Sequence, residues 1–95
     1  MNSRPSSDRS KVWQTSYAIH LDVRGLAPPE PMVAILRLID GGEVENVLIA
    51  HLDREPVFLY PELDERGWAH EIISSARENQ SDGQDVQLRI ARRIP

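Results

Sequence analysis

The chain predicts an α+β fold, a two-layer sandwich in which two helices cover one face of a mixed four-stranded sheet in the order β-α-β-α-β-β. Three observations carry this. Two segments of strand character each lead into a helical segment that opens on proline. Two more strand segments then follow one another across a polar Ser81-Asp82-Gly83 turn. Strand–helix–strand crossovers are right-handed, so two in succession put both helices on the same side of the sheet. Ninety-five residues make one small domain with a single modest core.

Residues 1–16 read as a flexible N-terminal tail, because Asn, Ser, Pro, Asp and Arg dominate and Trp13 is the one hydrophobe of weight. Such polar segments cannot bury enough apolar surface to order themselves; the alternative is that Trp13 folds back onto the domain, which spans 17–93. Its first strand is Tyr17–Val23, where Ile19, Leu21 and Val23 alternate with His20 and Asp22 at the period of a half-buried strand. Gly25 permits the bend into a helix over Pro29–Ile39. Prolines at its first and third positions lose nothing, since the N–H groups of a first turn have no partner inside the helix. Glu30 between them sets a negative charge at the positive end of the helix dipole. Met32, Ile35, Leu36 and Ile39 then form an i, i+3, i+4, i+7 stripe that faces a sheet, with Arg37 and Asp40 outside. Gly41-Gly42 ends the helix.

Val47–Leu52 is almost wholly apolar, as an interior strand should be. In Asp53–Gly67 the residues Val57, Phe58, Leu59 and Leu63 have helical spacing, but Pro61 inside a helix would clash with the carbonyl of Val57. The expectation is a short turn from Pro56, a kink, and a second helix from Pro61 to Arg66 capped by Gly67. Trp68–Ser75 is the third strand and Glu78–Asp85 a polar hairpin loop. Val86, Leu88 and Ile90 alternate with Gln87, Arg89 and Ala91 in the last strand.

Composition removes several function classes. There is no cysteine, so disulfides, thiolate metal sites and thiol nucleophiles are excluded. No signal-like apolar run opens the chain and no segment approaches the length of a membrane span, so a cytoplasmic protein with no membrane partner is expected. Residues 43–85 carry eleven acids against three Lys or Arg residues. That acidic middle opposes phosphate-backbone binding, and five aromatic residues in no basic pattern offer no base-stacking surface. Nucleic acid is not an expected partner.

The stretch Leu21-Asp22-Val23-Arg24-Gly25-Leu26-Ala27-Pro28-Pro29-Glu30-Pro31-Met32 closely resembles the signature of the TusA/SirA sulfur-carrier family, in which a cysteine stands just before Pro-Glu-Pro. Pro28 occupies the place of that cysteine. The resemblance covers roughly 17–93 and implies the same sandwich, with the last strand inserted between the second and third and a proline inside the second helix. The chain also looks like a cysteine-less branch of that superfamily with no known function, marked by a stretch similar to His51-Leu52-Asp53-Arg54-Glu55-Pro56 followed by Leu59-Tyr60-Pro61-Glu62-Leu63. In the carriers the thiol holds a persulfide at a helix N-terminus, where the dipole favours the anion. Pro28 can hold no sulfur, and neither Ser nor Lys occurs within Arg24–Met32 to replace it. An anion site there is also disfavoured, because two N–H donors are missing and Glu30 repels anions.

Two surfaces remain as candidates. The first is His51, Asp53 and Glu55, with Arg54 and Pro56, at the carboxyl end of the second strand, where open α/β sheets commonly bind ligands. An imidazole between carboxylates could hold a divalent metal or move protons; otherwise Asp53 caps the turn that follows it and His51 hydrogen-bonds at the strand end. The second is the uncovered sheet face, where His20 and Asp22 should share a side with Gln87 and Arg89, either as solvated surface or as a docking face. His70 and Glu71 read as strand surface. Arg24 and Glu30 complete the candidate interaction or ligand residues. No concave pocket is foreseen, so neither catalysis nor a cofactor is expected. The expected role is a non-catalytic accessory or interaction module whose partner is another protein. The alternatives are a small-ligand or metal-binding regulatory domain and, last, an enzyme of unknown type. Relatives of the cysteine-less branch accompany haemerythrin-like or nitrogen-oxide respiratory proteins, which links the regulatory alternative to redox or nitrogen-oxide metabolism.

Overall fold

In the computed structural model, which describes residues 11–77 and 84–93, two helices lie on one face of a mixed sheet. Among the described residues the sheet has five strands rather than four: β1 (Lys11–Gln14), β2 (Ile19–Asp22), β3 (Val47–Leu52), β4 (Trp68–Arg77) and β5 (Gln84–Arg92), in the spatial order β1-β2-β3-β5-β4. Only β2 and β3 run parallel; every other neighbouring pair is antiparallel. The last strand lies between the second and third strands of the expected order, and the addition is β1 at the edge. That strand falls within the segment expected to be a tail. Its hairpin with β2 is closed by the Thr15 N–H and hydroxyl, both donating to the Ala18 carbonyl at 2.8 and 3.1 Å. Four residues with Val12 and Trp13 side by side between Lys11 and Gln14 show no strand period, which is why composition alone suggests a tail. Residues 1–10 and the expected hairpin loop over 78–83 lie outside the described residues.

Helix α1 (Glu30–Asp40) starts with Pro29 as its N-cap, one residue later than expected, and keeps Pro31 in the first turn. Ile35 and Ile39 are buried and Met32 and Leu36 pack beside them, as the stripe predicts. Gly42, at φ 78°, turns the chain left-handed after the helix, and its N–H donates to the Ile39 carbonyl at 3.1 Å. Helix α2 (Leu59–Glu65) corrects the expected kink. It begins two residues before Pro61, which leaves that proline in the first turn and Val57 outside the helix. The clash with the Val57 carbonyl never arises, and the missing N–H had no helical partner to lose.

The core lies between the sheet and the two helices. Leu21, Ala50 and Leu88 face one another across three adjacent strands, as do Leu52 with Val86 and Leu48 with Ile90. Ile35 and Ile39 from α1 and Leu59 and Leu63 from α2 join that same cluster, which places both helices on one face. Trp68 closes the far edge, buried beneath the Arg92 guanidinium, whose carbon lies 4.7 Å from the ring centroid. Among the described residues no helix is long and apolar enough to cross a membrane.

Candidate functional site

The carboxyl ends of the parallel pair β2 and β3 lead into two loops, and those loops are tied together. Asp22 accepts the Arg24 backbone N–H at 3.0 Å, which begins a tight turn. Gly25 completes the turn at φ 88°, a conformation that favours glycine. The Gly25 N–H then donates to Asp53 Oδ2 at 2.6 Å. Asp53 therefore fastens the β2–α1 loop to the β3–α2 loop instead of capping the turn that follows it.

Between these loops, the first turn of α1 and the start of α2 lies a cleft of about 390 Å³. Its floor is Val23, Leu52 and Leu59, and its walls are Leu26, Pro28 and Met32 on one side and Pro56 to Phe58 on the other. Phe58 is 83% exposed and Val57 52% exposed at its rim. The sequence foresees no such concavity. A signal was nonetheless present: Leu59 and Leu63 already fill the core side of α2 at i, i+4, so Phe58 could not share it. Pro28 is a wall of this cleft. Arg54 and Glu55 stand on its polar border, and Glu30 is exposed between Pro29 and Pro31, which both line it.

His51, Asp53 and Glu55 do not converge. His51 projects from the opposite face of the sheet, Asp53 binds the Gly25 N–H, and Glu55 accepts the Tyr60 hydroxyl at 3.0 Å. Among the described residues no three His, Cys, Asp or Glu side chains cluster as a metal site. Burial, with the Glu55 bond adding to it, pushes the Tyr60 phenol up to about 12. The Tyr60 ring also stacks flat on His70, with centroids 4.1 Å apart. His70 thus turns toward the helices, half-buried, and is not plain strand surface. Nor does the cleft reach Arg24 or His51, so it does not bring the basic and imidazole groups into one pocket.

The uncovered face of the sheet is organised around His20 and His51. His20 Nδ1 and His51 Nε2 are 3.0 Å apart, so one ring donates and the other accepts. Trp13 stacks on His20 at 5.0 Å and tilts over His51 at 5.2 Å between centroids. Burial, and then the neighbouring His20, hold the His51 pKa below its ordinary value, against the pull of Asp22. Asp22, the register partner of His51, is gripped by two nitrogens of Arg24 at 2.9 and 2.8 Å. That bidentate bond is the main reason its carboxyl sits below the usual carboxylate range and the guanidinium is shifted up. Gln87 and Arg89 share this face as expected, Gln87 beside His51 and Arg89 beside Ile49. The sequence identifies His20, Asp22 and His51 but separates Trp13 and Asp85 from them, since partners across a sheet are fixed by register and not by spacing along the chain.

At the other end of β3 a second, polar depression of about 370 Å³ lies between the β1–β2 turn and the α1–β3 loop. Its polar lining is the Gln14 and Asn46 amides, the Ser16 and Tyr17 hydroxyls and the Glu43 and Glu45 carboxylates, with no base or nucleophile activated among them. Comparison with curated proteins and with solved structures returns no match. The family model described as an uncharacterized conserved protein, DUF2249, matches residues 20–92, and the chain belongs to that family.

Proposed function

We propose that this chain is a non-catalytic protein-interaction module that keeps a sulfur-carrier-like strand–turn–helix and cannot transfer sulfur itself. The observation that carries the reading is the apolar cleft with Phe58 and Val57 exposed at its rim. Large apolar side chains around a concavity, with no internal partner, mark places where another surface is received. The absence of any cysteine supports the second half of the reading, because the position that a carrier uses for its persulfide is here a proline wall of that cleft. A cytoplasmic setting goes with this role.

The occupant proposed is a segment of another protein that inserts an apolar side chain and sets a Lys or Arg beside it. Charge complementarity supports this: Asp53 and Glu55 line the cleft with the single cation Arg54, and Glu30 stands exposed between the lining residues Pro29 and Pro31, on a chain of net charge −4. Selection of displayed random peptides against the full chain tests it. Enriched peptides should share an apolar anchor with an adjacent base and shift the amide resonances of Leu26, Met32 and Leu59. They should also lose binding to a Phe58→Asp variant and keep it with Arg89→Glu on the uncovered face. No enrichment, or peptides indifferent to Phe58→Asp, would overturn the reading.

The regulatory alternative, a small-ligand domain linked to redox or nitrogen-oxide metabolism, draws on the same cleft, whose volume of about 390 Å³ lies within the range of small-molecule pockets. A fragment screen by the same amide resonances separates the two: a compact apolar ligand that saturates the cleft, with no peptide enrichment, favours the alternative.

A further inference from the structure

We propose that the uncovered face of the sheet carries a divalent transition-metal site whose two protein ligands are His20 Nδ1 and His51 Nε2. The two rings meet through nitrogens 3.0 Å apart. Two nitrogens bound to one ion at about 2.0–2.1 Å lie about 2.8–3.4 Å from each other when the angle at the metal is about 90–110°. The pair therefore already has the separation of a cis chelate. A shared proton now occupies the position between the rings, and an ion takes its place once each ring tilts.

The surroundings favour this exchange. His20 and His51 stand on β2 and β3, adjacent parallel strands whose register fixes their separation, and Trp13 stacks on His20 and tilts over His51. Ligands set on strands and packed from one side keep their geometry when loops would not. Of the cations on this face, Arg24 is held by the bidentate bond to Asp22 and Arg89 lies 3.9 Å from Glu71. Asp85 lies on the same face of β5 as Gln87, the register partner of His51. Its Oδ1 is buried and has no hydrogen-bond partner among the described residues, a free acceptor on the face where a hydrated ion brings donors. No third His, Asp or Glu closes on the pair among the described residues, so water or an outside ligand completes the coordination. With imidazole nitrogen as the only protein donor, the order of affinities places Cu(II) above Zn(II). This site is on the opposite side of the sheet from the cleft and does not depend on the docking role.

The test titrates Cu(II), and in parallel Zn(II), into the full chain at neutral pH, with calorimetry, tryptophan fluorescence and the nitrogen hyperfine structure of bound Cu(II). One equivalent should bind through two imidazole nitrogens, and the quenching it causes should vanish in Trp13→Phe. His20→Gln and His51→Gln should each weaken binding about tenfold or more. The third of the three histidines provides the control, and His70→Gln should change nothing. Imidazole nitrogen resonances of the unmodified chain with Zn(II) identify the bound rings even if a variant fails to fold. Absence of one-to-one binding, survival of binding in the His20→Gln/His51→Gln double variant, or Zn(II) shifts confined to His70 would each overturn the site.

Discussion

On the uncovered face of the sheet the two imidazoles and the charged groups of Asp22, Arg24 and Arg89 have partners within the chain, whereas the cleft at the carboxyl ends of β2 and β3 leaves its largest apolar side chains without any. His20 pairs with His51, Asp22 with Arg24, and Arg89 reaches Glu71 at 3.9 Å. At the cleft, Phe58 and Val57 face solvent beside a concavity lined by Leu26 and Met32. A face whose imidazoles and ion pairs hold one another has little to gain from a second protein. A concavity with exposed apolar walls gains from every water it sheds. The same sheet thus separates the two proposed capacities, one for an ion held by nitrogen and one for an apolar side chain.

Two neighbours at the start of α2 give the sharpest way to break this contrast. Leu59 is 1% exposed and Phe58 83% exposed, although both border the cleft. Leu59→Ala should lower unfolding stability in urea by about 2–5 kcal/mol, the cost of a cavity in a packed core. Phe58→Ala should stay within about 0.5 kcal/mol, as exposed substitutions do. A large loss from Phe58→Ala would mean that Phe58 serves the fold and that the cleft is no docking surface. The next effect in size concerns the tie between the loops. Asp53→Ala removes the charged acceptor of the Gly25 N–H and should cost about 1–2 kcal/mol, with faster amide exchange at Gly25 and Leu26. Trp13→Ala, on the other face, should cost about 1 kcal/mol through lost stacking and should speed exchange across β1 while leaving the cleft unchanged. If instead Trp13→Ala disturbed Leu26 and Met32, the two faces would not be independent.

What could be read in the sequence follows a physical division. Leu21, Leu48, Leu88 and Ile35 announce themselves through period and composition, because burial of apolar surface dominates their placement, and that was sufficient for the layering and for the order of every element but β1. Pro61 misleads over the bounds of α2 because its cost depends on position: it is severe in a helix interior and absent in the first turn. The site was legible only in part. His20, Asp22 and His51 stand out as polar residues at the inward or outward phase of a strand, but the contact between His20 and His51 spans 31 residues. It exists only because β2 and β3 pair in one particular register. Asp53 and Glu55 look like a metal set with His51 in the sequence, yet alternation along β3 and the turn after it send the three to different partners.

Tyr60 offers the smallest and most specific probe, because it joins the cleft border to the sheet through two contacts of different kinds. Its ring lies on His70 and its hydroxyl donates to Glu55. Replacement by Phe keeps the stacking and removes the bond, so at neutral pH Tyr60→Phe should cost only about 0.5–1 kcal/mol. The pH dependence is more telling. The phenol titrates near 10.0 when unfolded and is pushed up to about 12 in the folded chain, so between these values the native state holds a proton that the unfolded state has lost. The stability this supplies is complete below pH 10 and falls away as the pH rises toward 12. Urea midpoints measured from pH 9 upward should therefore decline more steeply for the unmodified chain than for Tyr60→Phe. In a Tyr17→Phe variant, which leaves Tyr60 as the sole tyrosine of the two, the phenolate absorbance of the folded chain should appear only near pH 12. Equal slopes, or phenolate that forms near pH 10, would show that neither the burial of Tyr60 nor its Glu55 bond holds in solution and that the border of the cleft is free to move.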